Sequence, residues 1–209
     1  LGSVQEIFPG DVNWMIAGNG IVHSERETHE VRATEHPLHG LQLWVALPPD
    51  HERIDPDFLH VGKNDLPCIY RPGLMMRLIV GAAYGRSSPV RTFSPMFYLD
   101  VLADKDSELE HPARDQEAAI CIISGALEIS GQRYEKGDFV LLDSDDTSFT
   151  ALENCRYVII GGKRFERIPH IHWNFVAYER ATIDEARRRW DAGEFPSIPG
   201  DDEENIPLP

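Results

Sequence analysis

No stretch of this sequence is long and apolar enough to span a bilayer as a helix. Its opening residues, LGSVQEIFPGD, lack the basic start and apolar run of a secretory signal. Together these absences argue against a membrane protein and give a cytoplasmic protein as the expectation. Cysteine is scarce. Cys68, Cys121 and Cys155 are widely separated and form no Cys-x-x-Cys pair, which excludes a disulfide framework and a zinc ribbon and leaves them as buried small hydrophobes. Positive charge is in deficit, with 20 Lys and Arg against 35 Asp and Glu and a formal net charge of -15. Such a field repels phosphate backbones and excludes direct nucleic-acid binding as the default function. The densest basic run, Arg187-Arg188-Arg189, stands beside Asp184, Glu185 and Asp191 in a helical pattern, so it reads as a solvated face with internal ion pairs. A phosphate loop is missing too. The small-residue run GAAYGRSSP over 81–89 lacks the GxxxxGK[ST] pattern and leads into no helix, so it reads as a turn.

What is present fits a soluble globular chain. Its 209 residues, 42% hydrophobic and 26% charged, can bury one sizeable core or two small ones. Short apolar runs bounded by Gly, Pro or Asp recur from about Val4 to Ile160 and predict small antiparallel barrels. Strands are expected over 12–16, 21–25, 41–47, 67–71, 74–80, 92–102 and in two runs ending at Ile123 and Ile129. Residues 50–67 read as a polar loop with a short helical turn. Past Gly161-Gly162 the pattern changes: a strand-like stretch, IHWNFV, leads to a helix with Thr182 as N-cap, Glu185 completing a capping box, Ala186 and Trp190 on one stripe, and Gly193 as its close. The acidic, Pro-containing tail from Pro196 is expected to lie extended on the surface.

Special backbone residues and metal-capable side chains converge in one run, PGDVNWMIAGNGIVHSE over 9–25. Pro9-Gly10-Asp11 marks a turn, and Gly18-Asn19-Gly20 breaks the chain before a second strand. On that strand His23 and Glu25 would share a face, an N/O pair suited to a first-row divalent metal. Spacing alone favours the blander reading, a solvated face or a local hydrogen-bonded pair. Two other histidine pairs are weaker. His36 and His39 are three apart with Pro37 between them and read as loop residues, whereas His170 and His172 would share a face but have no carboxylate nearby.

The sequence also repeats itself. Lys136-Gly137-Asp138 echoes Pro9-Gly10-Asp11, yet the step that carries Gly10 to His23 and Glu25 carries Gly137 to Thr150 and Leu152. A second barrel without metal ligands is the consequence.

The run over 9–25, with GLQLWVALP over 40–48 and the C-terminal segments, closely resembles the pirin family, and the resemblance covers essentially the whole chain. It implies an all-β fold of two tandem cupin (jelly-roll) barrels, 1–102 and 103–209, plus a C-terminal helix. In pirins three histidines and one glutamate hold iron, and the tripeptide ending at Glu25 supplies two of these ligands. The other two lie in a His-Pro-His-Arg-Gly element upstream of the turn, so the expectation is an incomplete first barrel that lacks the segment bearing them. Against that element, the stretch from His111 has Ala113 where the second histidine belongs. The resemblance implies His23 and Glu25 as metal ligands and Glu25 also as the catalytic group that accepts a flavonol hydroxyl proton. Iron is the expected metal, with manganese, nickel, cobalt, copper or zinc as alternatives. Trp14 and Met15 would line the cavity or pack the core. The implied activity is that of a quercetin 2,3-dioxygenase acting on an aromatic small molecule such as a flavonol, in a monomer. The alternative is a metal-containing regulatory protein that engages a transcription factor or metabolic enzyme as protein partner.

Overall fold

A computed structural model describes residues 1–209. The strands are β1 (Val12–Ile16), β2 (Asp57–Val61), β3 (Cys68–Arg71), β4 (Leu74–Ala83), β5 (Arg86–Ser87), β6 (Met96–Ala103), β7 (Glu108–Glu110) and β8 (Glu117–Ser124). They continue with β9 (Ala126–Ile129), β10 (Gln132–Glu135), β11 (Phe139–Leu141), β12 (Ser148–Ala151), β13 (Cys155–Gly162), β14 (His170–His172) and β15 (Phe175–Ala177). Helices are few: a single turn, α1 (His29–Arg32), a 3-10 turn at Pro49–His51, and α2 (Arg180–Asp191). The fold is all-β with a C-terminal helix, as the sequence leads one to expect.

The chain forms two compact units. One comprises Gln5–Trp14 and Leu59–Phe165, the other Leu1–Val4, Met15–Phe58 and Glu166–Pro209. The first is a two-sheet sandwich. A sheet in the order β10-β9-β12-β7 faces one in the order β11-β8-β13-β6-β4-β3, with β5 added to β4. Alternation builds the core between them: Met76, Leu78, Leu99, Val101, Ile120 and Ile159 from the large sheet meet Leu109, Leu127, Ile129 and Phe149 from the small one. Each such side chain contributes about 1.5–3 kcal/mol by leaving water. A register shift between Leu78 and Val80 turns the end of β4 over, so Val80, paired with Tyr98, packs on the outer face with Val61, Leu66 and Val90. Val12, Trp14 and Leu59 cover that second cluster, so Trp14 is a packing residue. β6 crosses position 102/103 and pairs along both edges.

The second unit is built around the β14–β15 hairpin and α2. Trp173, Phe175, Trp190 and Phe195 interlock, with ring centroids 5.1–6.1 Å apart, and Arg189 lies 4.8 Å over the Phe195 ring.

Several sequence expectations need correction. Residues 21–25 and 41–47 are not strands, and β2 lies within the stretch read as a loop. A strand exists only beside a partner that takes its backbone groups, and neither 21–25 nor 41–47 has one. Helix α2 begins two residues before Thr182 with Glu179 as N-cap and no side-chain cap bond. The Thr182 hydroxyl instead accepts from Arg53, at 3.0 Å, so the capping box does not form. Gly193 does close the helix, with φ +69 and its N–H donating to Trp190 at 3.0 Å. On the exposed face of α2, Arg187 and Arg188 pair with Asp184 and Glu185 as expected. Cys155 is buried, whereas Cys68 and Cys121 are half-buried.

Candidate functional site

The Pro9-Gly10-Asp11 turn is fixed by its own aspartate. Asp11 accepts from the N–H groups of Phe8 at 3.0 Å and Lys63 at 2.9 Å, and these donors, Lys63 first, hold its carboxyl below the usual carboxylate range. β1 leaves the turn beside β2, where the His60 ring lies 2.8 Å from the Asn13 amide oxygen. The echo at 136–138 reproduces this geometry. Gly10 and Gly137 both have φ +94, Asp138 accepts from the Glu135 N–H at 2.8 Å, and Asp138 N–H returns to the Glu135 carbonyl as Asp11 N–H does to Phe8. A shared turn at equivalent points is structural evidence of an internal repeat.

The bend that follows β1 is equally constrained. Gly18 has φ +48, and a Cβ there would sit 2.0 Å from the Ile54 carbonyl oxygen. That oxygen accepts the Asn19 N–H at 2.9 Å. Gly20 lies against Phe195, where a Cβ would be 3.1 Å from the ring. Beyond it the chain is irregular. Ile21 and Val22 are half-buried, and His23, Ser24, Glu25 and Arg26 are exposed. Because 21–25 is not a strand, alternation does not place His23 and Glu25 on a common inward face. The next residues are tied to the acidic tail: Arg26 pairs with both carboxylate oxygens of Asp201 at 2.8 and 2.9 Å and with Glu204 at 3.0 Å.

His23 and Glu25 have donor chemistry that suits a divalent metal. Their number and exposure do not: nowhere do three or more His, Cys, Asp or Glu side chains gather in a metal-holding group. The residues present therefore do not by themselves assemble a metal site.

The other histidines have local duties. His36 donates Nδ1–H to the Thr34 carbonyl, and its Nε2 lies 2.8 Å from Glu27, which agrees with its reading as a loop residue. His39 is exposed. His170 and His172 do share one face of β14, and the His172 Nε2 is buried without a partner. His111 accepts the Ala113 N–H at 3.2 Å through Nδ1 and meets Phe97 edge-on at 6.0 Å. Burial first, then Arg114, pushes its imidazole pKa down, and its ring packs between Phe97 and Phe149. Ala113 rests on the sandwich core. Thr150 pairs with Glu128 and Glu108 on β12.

Sequence reasoning passed over the Arg26–Asp201 pair and the Glu52 carboxylate that accepts the Tyr178 N–H at 2.9 Å. The two pairs join positions 175 and 126 residues apart, beyond the reach of any local pattern. The only legible signal was the complementary charge of Arg26 and the tail.

The two-sheet sandwich with its duplicated turn defines a cupin. Family profiles make the assignment finer: that of pirin matches residues 1–45, and that of the pirin C-terminal cupin domain matches residues 98–196. The chain is 37% identical over 215 residues to a pirin-like protein of Caulobacter vibrioides, covering all of this chain and 73% of that protein. It is 31% identical to pirin of Rattus norvegicus, covering 88% of this chain and 65% of that one. A crystal structure of quercetin 2,3-dioxygenase from Acinetobacter baumannii matches with a TM-score of 0.88 at 31% identity, over 99% of this chain and 69% of that chain. The chain belongs to the pirin family. It spans about two thirds to three quarters of the length of these relatives. No helix is long and apolar enough to cross a membrane.

Proposed function

We propose that the protein is a metal-dependent cupin oxygenase of the quercetin 2,3-dioxygenase type, opening the central ring of a flavonol or a related aromatic small molecule. One observation carries this reading: the match to the Acinetobacter baumannii quercetin 2,3-dioxygenase extends over 99% of the chain with a TM-score of 0.88. In this proposal His23 and Glu25 serve as ligands for iron. Glu25 is also the group that accepts the flavonol hydroxyl proton. The repeat at 136–138 belongs to a second cupin barrel without ligands, and the protein works as a cytoplasmic monomer.

Quercetin turnover by the whole protein, supplied in turn with iron, manganese, nickel, cobalt, copper and zinc, tests the proposal. Loss of the flavonol absorbance that disappears in both His23→Ala and Glu25→Gln supports it. Turnover unaffected by either variant refutes the site.

A second reading is a regulatory or binding protein that holds its metal without catalysis. Metal retained at stoichiometric level by a whole protein that fails to consume quercetin favours this reading.

A further inference from the structure

The tail after α2 is anchored at two points and crosses the His-Ser-Glu segment between them. Upstream, Phe195 is held by Phe175 and Trp190, with the Phe175 and Phe195 rings stacked at 6.1 Å. Downstream, the Trp190 indole N–H donates to the Ile206 carbonyl at 2.9 Å. Between these anchors the Asp201 N–H closes a turn onto Ile198 at 3.0 Å, and Asp201 and Glu204 then meet Arg26. The Ser24 hydroxyl donates to Asp201 as well. A residue on each side of Glu25, Ser24 and Arg26, is thus held by one carboxylate, while the segment itself has no strand partner. Arg26 keeps 47% of its side-chain surface and Asp201 26%. An isolated exposed pair contributes little, but a planar bidentate guanidinium–carboxylate contact with a third and fourth group attached fixes geometry as well as charge.

We propose that the acidic segment Asp201–Glu204 is a strap that positions the His23–Glu25 tripeptide, with Arg26 and Ser24 as its clasps. In the irregular stretch after Gly20, which belongs to the unit of α2, the strap takes the role that a neighbouring strand plays for the strands of the sandwich. The functional side of this claim rests on the reading of His23 and Glu25 as ligands; the structural side does not. Asp201, Glu204, Arg26 and Ser24 are accordingly positioning residues, acting through the tripeptide.

Amide hydrogen exchange of the 209-residue chain tests the strap with no metal present. In an Asp201→Asn, Glu204→Gln double variant, amides over 22–26 should exchange about three- to ten-fold faster, the size expected for an exposed but bidentate network. Amides of β6 serve as the internal reference and should not change. Swapping the charges, Arg26→Asp with Asp201→Arg, should restore protection. Unchanged exchange in the double variant, or no restoration by the swap, overturns the strap. Cobalt(II) titration of the whole protein then separates the two readings. Weaker binding in both His23→Ala and the double variant supports the positioning role. Weaker binding in His23→Ala alone overturns it, and unaltered binding in His23→Ala overturns the ligand reading beneath it while leaving the exchange result in force.

Discussion

At Gly18 the backbone has no room for a side chain, since a Cβ would stand 2.0 Å from the Ile54 carbonyl oxygen and φ is +48. Gly18→Ala therefore combines a left-handed backbone penalty with a clash against main chain, and should lower stability by about 2–4 kcal/mol in thermal or urea unfolding. Gly85 is the control: its φ is +75 with nothing within 4 Å of a Cβ, so Gly85→Ala should cost only about 1–2 kcal/mol, the conformational part. The same scale governs pH. His36 has its pKa raised above 6.5, first by the Thr34 carbonyl and then by Glu27. A group whose folded pKa is raised stabilises the folded state fully below its unfolded value, and the contribution fades as pH rises through the folded value. Closure of the 27–36 loop should accordingly loosen as pH rises through the raised folded value, followed by the imidazole NMR shifts of His36, and His36→Gln should remove the dependence. Asp201 behaves oppositely. Arg26 and then Ser24 draw its pKa down to about 2, so the tail contact is fully present above the ordinary value of 3.8 and is lost as pH falls toward 2.

Among the elements, those buried on one face were legible and those without partners were not. β4 and β6 bury alternate residues and stand out as apolar alternation, and Lys136-Gly137-Asp138 betrays the repeat because a turn needs particular residues wherever it occurs. IVHSE and LQLWVAL have the same surface pattern, yet Leu41, Trp44 and Val45 remain 44–55% exposed. Alternation says which face a strand would bury, not whether a neighbour exists to bury it. β2 was hidden for the opposite reason: DFLHV carries Asp57 and His60, and its strand character comes from pairing with β1 and the His60 contact to Asn13. The same logic explains why His23 and Glu25 could be named from sequence while their environment could not. α2 shows where tertiary contacts outweigh local signals, because Thr182 is engaged by Arg53 while Trp190 is gripped by Trp173 and Phe195. Trp190→Ala removes two ring contacts and the bond to Ile206, and should cost about 2–4 kcal/mol in the unit that contains α2. Chemical denaturation followed by tryptophan fluorescence reads the loss.

For the whole molecule, the two units are stabilised by unequal means. Nearly every fully buried apolar side chain lies in the sandwich, and the other unit has only Ile16, Ala177, Tyr178 and Ile183 below the same exposure. It is held instead by half-buried rings, by Glu52 and Leu47 on Tyr178, and by ion pairs such as Arg26–Asp201 and Arg167–Glu179. Apolar burial is insensitive to moderate salt, whereas exposed pairs are screened once ionic strength brings the Debye length to about 8–10 Å. A net charge of -15 adds a second salt effect of opposite sign, because screening also relieves repulsion among acidic side chains. The balance should differ between the units. Hydrogen exchange at rising urea concentration should show amides over 15–58 and 166–209 opening at least about 2 kcal/mol below those of β4, β6, β8 and β13. Raising salt should weaken the protection of 22–26 while leaving the sandwich strands unchanged or slightly better protected. Equal opening free energies across both units would mean that the ring cluster and ion pairs match the sandwich core in strength, contrary to the distribution of buried surface.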